Sequence, residues 1–132
     1  MIDKLKKLEE NIITLEEIKN NYSINDIMSD KVDEWGLRYG FFESLQIIID
    51  IACHIVAEKN LGTPKSYSDC LSFLVSHQYI DDRLGEKVMK MVGLRNLLIH
   101  EYGVIDVTKL FEYLNHLQDI KDFVNAIKSI YK

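Results

Sequence analysis

Apolar residues recur every three or four positions through most of this chain, and that spacing predicts helices from end to end. From Asp3 to about Tyr22, Leu5, Leu8, Ile12, Leu15, Ile18 and Tyr22 mark one face, with Lys and Glu filling the gaps. Ser23 to Asp30 mixes cap and turn formers with Ile24, Ile27 and Met28, which predicts a short helical or irregular link. A second long helix begins near Ser29 or Asp30 and runs to about Asn60; Asn60 and Gly62 are stop signals, and Pro64 forbids continuation. Its second half, Leu45 to Val56, is apolar nearly all round. Such a segment is expected at the centre of a bundle, or facing another subunit as well as its own core. Gly36 and Gly40, one turn apart, offer either a close backbone approach or a helix bend.

A loop over residues 61–67 leads to a short helix ending near His77, capped by Ser66 or Ser68, with Leu71, Leu74 and Val75 pointing inward. Asp81 caps the next helix, which carries Leu84, Val88, Met91, Val92, Leu94 and Leu98 and is broken by Gly103. Asp106 caps the last helix, where Leu110, Tyr113, Leu114, Leu117, Ile120, Phe123, Val124, Ile127 and Tyr131 form one continuous stripe. No stretch alternates as a strand does. The fold class is therefore all-α, an up-down bundle of four to five helices.

Composition narrows the function more than the fold. With 132 residues, 47% of them hydrophobic and a single Pro, the chain suits one soluble globular domain. A formal charge of -5 excludes nucleic-acid binding through a general basic face, so any such chemistry needs a local basic pocket. Cys53 and Cys70 lie in apolar helical patterns without a CxxC or a dense cysteine framework, and no signal peptide is read at the charged N-terminus. The expectation is a cytosolic protein with reduced thiols. Apolar runs such as Ile47 to Ile49 are far shorter than the roughly 20 residues of a bilayer span, so no membrane insertion is expected.

Candidate chemistry concentrates in Gly93 to Tyr102. Arg95, Asn96, His100 and Tyr102 put a cation, an amide, a titratable base and a phenol into otherwise apolar helical sequence. Around a regular helix Arg95 and His100 lie about 140° apart, whereas Asn96 and His100 share a face. Arg95 and His100 converge only if the helix loosens or ends around Ile99 to His100, ahead of Gly103, or if a second subunit completes the site. An Arg donates bidentate hydrogen bonds to phosphate at every physiological pH, and a His moves protons near neutrality. Together they suit RNA cleavage without a metal, the ribose 2′-hydroxyl attacking the adjacent phosphorus. By the residues alone the commoner reading is two cations that merely favour a helix C-terminus.

The run Arg95-Asn-Leu-Leu-Ile-His-Glu-Tyr102 resembles the signature of HEPN-domain proteins of the HepT type, the toxin half of a bacterial toxin and antitoxin pair. The likeness extends to Leu45-Gln46 and Asp50 to Ile55 on the second long helix, the Pro64 to Tyr67 loop, and the capped C-terminal helix, nearly the whole chain. The resemblance implies a HEPN-like helical bundle that forms a homodimer, with Arg95 and His100 of both chains meeting in a cleft. It implies a metal-independent endoribonuclease with catalytic Arg95, Asn96 and His100, no cofactor, RNA rather than DNA as substrate, and a type VII-like pairing. The implied partner is a minimal nucleotidyltransferase antitoxin that transfers AMP to Tyr102, placing bulk and negative charge where RNA phosphate must bind. The alternative is a catalytically inactive module that binds a nucleotide or partner and serves for dimerisation.

Other residues give weaker signals. Asp50 and His54, four apart, either pair or line the cleft, and a buried, satisfied His54 is the expectation. Arg38 is either a further phosphate contact or a solvated charge. His77 and His116 lack neighbours at metal-ligand spacing. Trp35, Tyr39, Phe41 and Phe42 are expected in the core or a dimer contact rather than on a base-stacking platform.

Overall fold

The computed structural model describes residues 1–100 and 106–131, the side chains of residues 99 and 100 excepted. Gly103 and Tyr102, singled out above, lie outside the described residues. The described part is helical, as expected: α1 spans Ile2–Asn21, α2 Ile24–Ser29, α3 Lys31–Glu58, α4 Tyr67–Ser76, α5 Asp82–His100, α6 Val107–Glu112 and α7 Leu117–Ile130. Five of these are the long helices of the sequence pattern; α2 and α6 are single short turns of chain.

Most boundaries follow from capping side chains. Ser23 and Asp26 form a reciprocal capping box, Ser23 Oγ accepting from the Asp26 amide at 3.2 Å and Asp26 Oδ2 from the Ser23 amide at 2.8 Å. Asp30, Asp81 and Asp106 each accept an amide hydrogen bond from the first turns of α3, α5 and α6. At α4 the expected serine cap is replaced: the Ser66 hydroxyl meets that of Ser68, and Asp69 reaches back to the Lys65 amide at 2.8 Å. Helices α3 and α4 both end with a left-handed residue, Asn60 (φ 52) and Gln78 (φ 62). In each, the next amide bonds back to the third carbonyl from the helix end, Leu61 to Val56 at 3.0 Å and Tyr79 to Leu74 at 2.9 Å. Gly62 is needed beyond the first of these turns, because a Cβ there would stand 2.6 Å from the Phe73 ring.

Helix α3 is the central element and packs against α1, α2, α4, α5 and α6. Leu45, Ile48, Ile51, Ala52 and Ile55 are wholly buried, which accounts for the nearly continuous apolar run. An 18-residue window of α3 reaches a mean hydropathy of 1.5, the range of a membrane span, and half of it is buried within the bundle. Helices α1 and α7 pack against each other and supply Leu8, Leu15, Ile120, Phe123 and Ile127 to the same core. Gly40 admits the Leu15 side chain, which a Cβ would meet at 3.1 Å, whereas Gly36 faces open space. The close approach is thus made by a side chain, not a second backbone.

Two expectations are corrected. The last helix is not continuous: Tyr113–His116 winds as a 3-10 turn between α6 and α7. Asn115 and His116 have modest helix propensity, and the tighter winding keeps Leu114 and Leu117 in the core. Cys53 and Cys70 are not reduced thiols but a disulfide joining α3 to α4, with Cα atoms 5.0 Å apart. Packing of α4 against α3 after the 59–66 connection brings the cysteines within bonding range, which spacing alone could not reveal.

Candidate active site

Helix α5 delivers Arg95 and Asn96 to the surface between α3 and α4. Both are half-buried, and they stand at the centre of a polar chain crossing three helices. Arg95 donates from Nε to Oε1 of Gln46 on α3 at 2.6 Å and from Nη1 to Oδ1 of Asn96 at 2.9 Å. Asn96 Nδ2 donates to the hydroxyl of Tyr67, the first residue of α4, at 2.8 Å. The Tyr67 ring also faces the guanidinium, its centroid 5.8 Å from Cζ. Gln46 Nε2 donates to Asp50 Oδ1 at 2.9 Å, and Lys4 of α1 stands 3.8 Å from the other Asp50 oxygen.

The donor and acceptor directions are forced by chemistry. A guanidinium has only donors, so Gln46 and Asn96 must turn their oxygens to Arg95, and their amide nitrogens then point to Asp50 and Tyr67, both of which can accept. Asn96 is therefore engaged on both sides, orienting Arg95.

The α5 backbone remains helical to His100. Positions 95 and 100 are thus about 140° apart around the axis of that helix.

The secondary candidates separate. Asp50 belongs to the Arg95 network through Gln46. His54 does not: it is exposed and its Nε2 lies 3.2 Å from Glu58, so the expected buried histidine is corrected. It falls on the solvent side of α3, one turn beyond Asp50. Arg38 is held by Glu34 at 3.1 Å in an ion pair. With Trp35, Tyr39, Phe42 and Leu98 it lines an open groove of about 370 Å³ between α3 and α5. Only Phe41 of the four aromatic residues is fully buried; Trp35 and Tyr39 are 58% and 60% exposed, which excludes them from the protomer core. The Tyr39 hydroxyl donates to Glu43 at 2.8 Å, and that carboxylate holds the phenol above its usual range. Burial pushes Glu43 upward, but hydrogen bonds from Asn11 and Tyr39 and the charge of Lys7 outweigh it and hold the carboxyl low. His77 is exposed and bonds to the Phe73 carbonyl, and His116 stands 3.9 Å from Asp119. Among the described residues no cluster of three metal-ligating side chains occurs.

Sequence reasoning located Arg95, Asn96 and Asp50 but missed Gln46 and Tyr67 as their partners. A signal was present: Gln46 and Asp50, four apart, are the only polar residues between Leu45 and Cys53.

A profile of the family described as ribonuclease HepT-like matches residues 8–127. The mRNA nuclease HepT of Shewanella oneidensis is 35% identical over 82 residues, 61% of this chain and 62% of the relative, so the match spans under two thirds of that protein's length. The tRNA nuclease HepT of Aphanizomenon flos-aquae is 30% identical over 131 residues, 97% of this chain and 80% of the relative. Among solved structures, the tri-AMPylated Shewanella oneidensis HEPN toxin in complex with MNT antitoxin superposes with a TM-score of 0.88 at 26% identity. The alignment covers 97% of this chain and 96% of that one. These matches bear out the HEPN-type helical fold and the resemblance carried by the Arg95 to Tyr102 run.

Proposed function

We propose, from the premise that this chain belongs to the ribonuclease HepT-like family, as its match over residues 8–127 shows, that it is a metal-independent endoribonuclease working as a homodimer. The observation that carries this reading is that one helix, α5, presents both a fixed guanidinium at Arg95 and, at Leu98, the edge of a groove with an exposed aromatic face on α3. Trp35 and Tyr39, with Val32 one turn earlier, form a stripe that a monomer leaves in water. The groove they line includes Leu98, two residues before His100. A second copy seated on this stripe buries it and brings its own α5 alongside, so that Arg95 of one chain and His100 of the other share a cleft.

In that cleft the chemistry is balanced without a metal. His100, as general base, takes the proton of the ribose 2′-hydroxyl; the oxygen attacks phosphorus and the bond to the 5′-oxygen breaks. Water gives that oxygen its proton and recovers one from the imidazolium. Arg95 stabilises the charge growing on the non-bridging oxygens, and Asn96 holds Arg95 in place. The products are a 2′,3′-cyclic phosphate and a 5′-hydroxyl, and DNA, without the 2′-hydroxyl, is not cut.

We further read the chain as a toxin neutralised by a minimal nucleotidyltransferase. The likeness to a HEPN toxin solved in AMPylated form with its MNT antitoxin supports this. Tyr102, two residues beyond His100, is the proposed acceptor of AMP. The test is cleavage of RNA by the purified dimer in EDTA. Products with cyclic phosphate ends, lost in His100→Ala, are expected; equal cutting by that variant would refute the assignment.

A further inference from the structure

The partners of Arg95 share a property that a merely structural arginine does not require. The amide oxygens of Gln46 and Asn96 and the ring of Tyr67 hold it at 2.6 Å, 2.9 Å and 5.8 Å, and none carries a charge. Among the described residues no carboxylate forms an ion pair with it. The carboxylate of the network, Asp50, is kept one residue away, with Gln46 inserted between. A carboxylate at position 46 would bind the guanidinium more strongly, since it opposes the cation with a full charge where an amide oxygen offers only a dipole. It would also leave a neutral pair facing an incoming phosphate.

A neutral amide holds a guanidinium less firmly than a carboxylate would, so its orientation needs support at its other end. Asp50 supplies that support. An ionised carboxylate only accepts, so Nε2 must face Asp50 and Oε1 must face Arg95; Lys4, 3.8 Å from Asp50, balances the carboxylate's charge. We infer that Gln46, locked by Asp50, is the positioning residue of the site: it aims Arg95 while leaving the full cationic charge for a substrate phosphate. The inference rests on the reading of Arg95 as the phosphate-binding group.

The decisive variant is the pair Gln46→Glu with Asp50→Asn, tested in the full-length dimer. It preserves both hydrogen bonds, since the amide introduced at position 50 donates to the carboxylate introduced at position 46, and that carboxylate accepts from Arg95. It nevertheless places a negative charge on the guanidinium. A purely structural role requires only the bonds and predicts wild-type behaviour. The probe is a 2′-O-methyl oligoribonucleotide, which has no free 2′-hydroxyl and so reports binding whether or not the protein cuts. The expected result is a loss of affinity of about tenfold or more and a salt dependence flattened by roughly one phosphate contact, with dimer and melting temperature unchanged. Asp50→Asn alone, whose amide can donate as well as accept and so no longer fixes which end of Gln46 faces Arg95, loses affinity a few-fold, and Gln46→Met, which removes the acceptor, loses it several-fold.

Wild-type affinity in the double variant, or in Gln46→Met, overturns the inference and leaves the nuclease reading standing. Tight binding of the probe with no cleavage of ordinary RNA by the wild type overturns the nuclease reading, and the affinity ratio still decides the role of Gln46. A wild type that does not bind the probe overturns both.

Discussion

Cys53 on α3 and Cys70 on α4 are joined by a disulfide that closes a loop across 17 positions of sequence. The bond lies three residues beyond Asp50 on one helix and three beyond Tyr67 on the other, so it ties together the two helices that hold Arg95 from either side. Closing a loop of that length restricts the unfolded chain by about 3 kcal/mol. Reduction, or Cys53→Ser with Cys70→Ser, is expected to lower the melting temperature by roughly 10 °C for a chain of this size. Calorimetry with and without reductant checks this; identical transitions in both would contradict it.

The exposed stripe on α3 gives the second prediction. Trp35 is 58% exposed in the protomer, so Trp35→Ala should change monomer stability by no more than about 0.5 kcal/mol. If the stripe is the homodimer contact, the same change weakens dimerisation by about 2 kcal/mol, roughly 30-fold, as expected of a buried aromatic anchor. Sedimentation across a concentration series reads the difference, and unaltered dimerisation would place the contact elsewhere.

How far the sequence reaches is visible in these residues. Periodicity and caps placed the starts of α1, α3, α4 and α5 to within a residue or two, since Asp30 and Asp81 act on amides only two or three positions away, whereas the last helix, read as continuous from Asp106, begins as α7 only at Leu117. The Arg95-Asn96 pair was legible for the same local reason. What joins them to the rest was not: Gln46 is 49 positions from Arg95 and Tyr67 is 29 from Asn96, contacts set by how α3, α4 and α5 pack. The disulfide and the exposure of His54 share that origin. His54 looked buried because it lies in an apolar run, yet α3 is not covered on every side, and position 54 falls on the open one.

The third prediction concerns pH. The Tyr131 hydroxyl donates to Glu58 Oε1 at 2.7 Å, tying the end of α7 to the end of α3. Burial first, and then Glu58, push this phenol up to about 12. The hydrogen bond from Tyr131, with His54 and Lys59 nearby, holds the Glu58 carboxyl below its usual range. A raised phenol stabilises the fold at pH below its ordinary value near 10, and that contribution disappears as pH rises through about 12. A lowered carboxyl stabilises above its ordinary value near 4.5, and its contribution disappears as pH falls through the depressed value. Ultraviolet titration should therefore show one tyrosine ionising near 12, returning toward 10 in Glu58→Gln. A single transition unchanged by that substitution would disprove the link.

Modification of Tyr102 is the fourth. Incubation with a minimal nucleotidyltransferase and ATP is expected to add AMP to the wild type and to suppress cleavage, since the adduct adds bulk and negative charge two residues beyond His100, the proposed base. Intact-mass measurement on Tyr102→Phe settles the acceptor: an adduct of the same mass on that variant would show that another residue carries it.

The claim most exposed to test is that Arg95 and His100 act across two chains, since positions 95 and 100 stand on different sides of one continuous α5. Arg95→Ala and His100→Ala dimers, each inactive alone, can be mixed after dissociation and reassociation. Half of the resulting dimers are mixed, each retaining one intact Arg–His pair across the interface, so RNA cleavage in EDTA should return to about a quarter of wild type. No recovery in the mixture, despite mixed dimers shown by mass, would contradict the shared site.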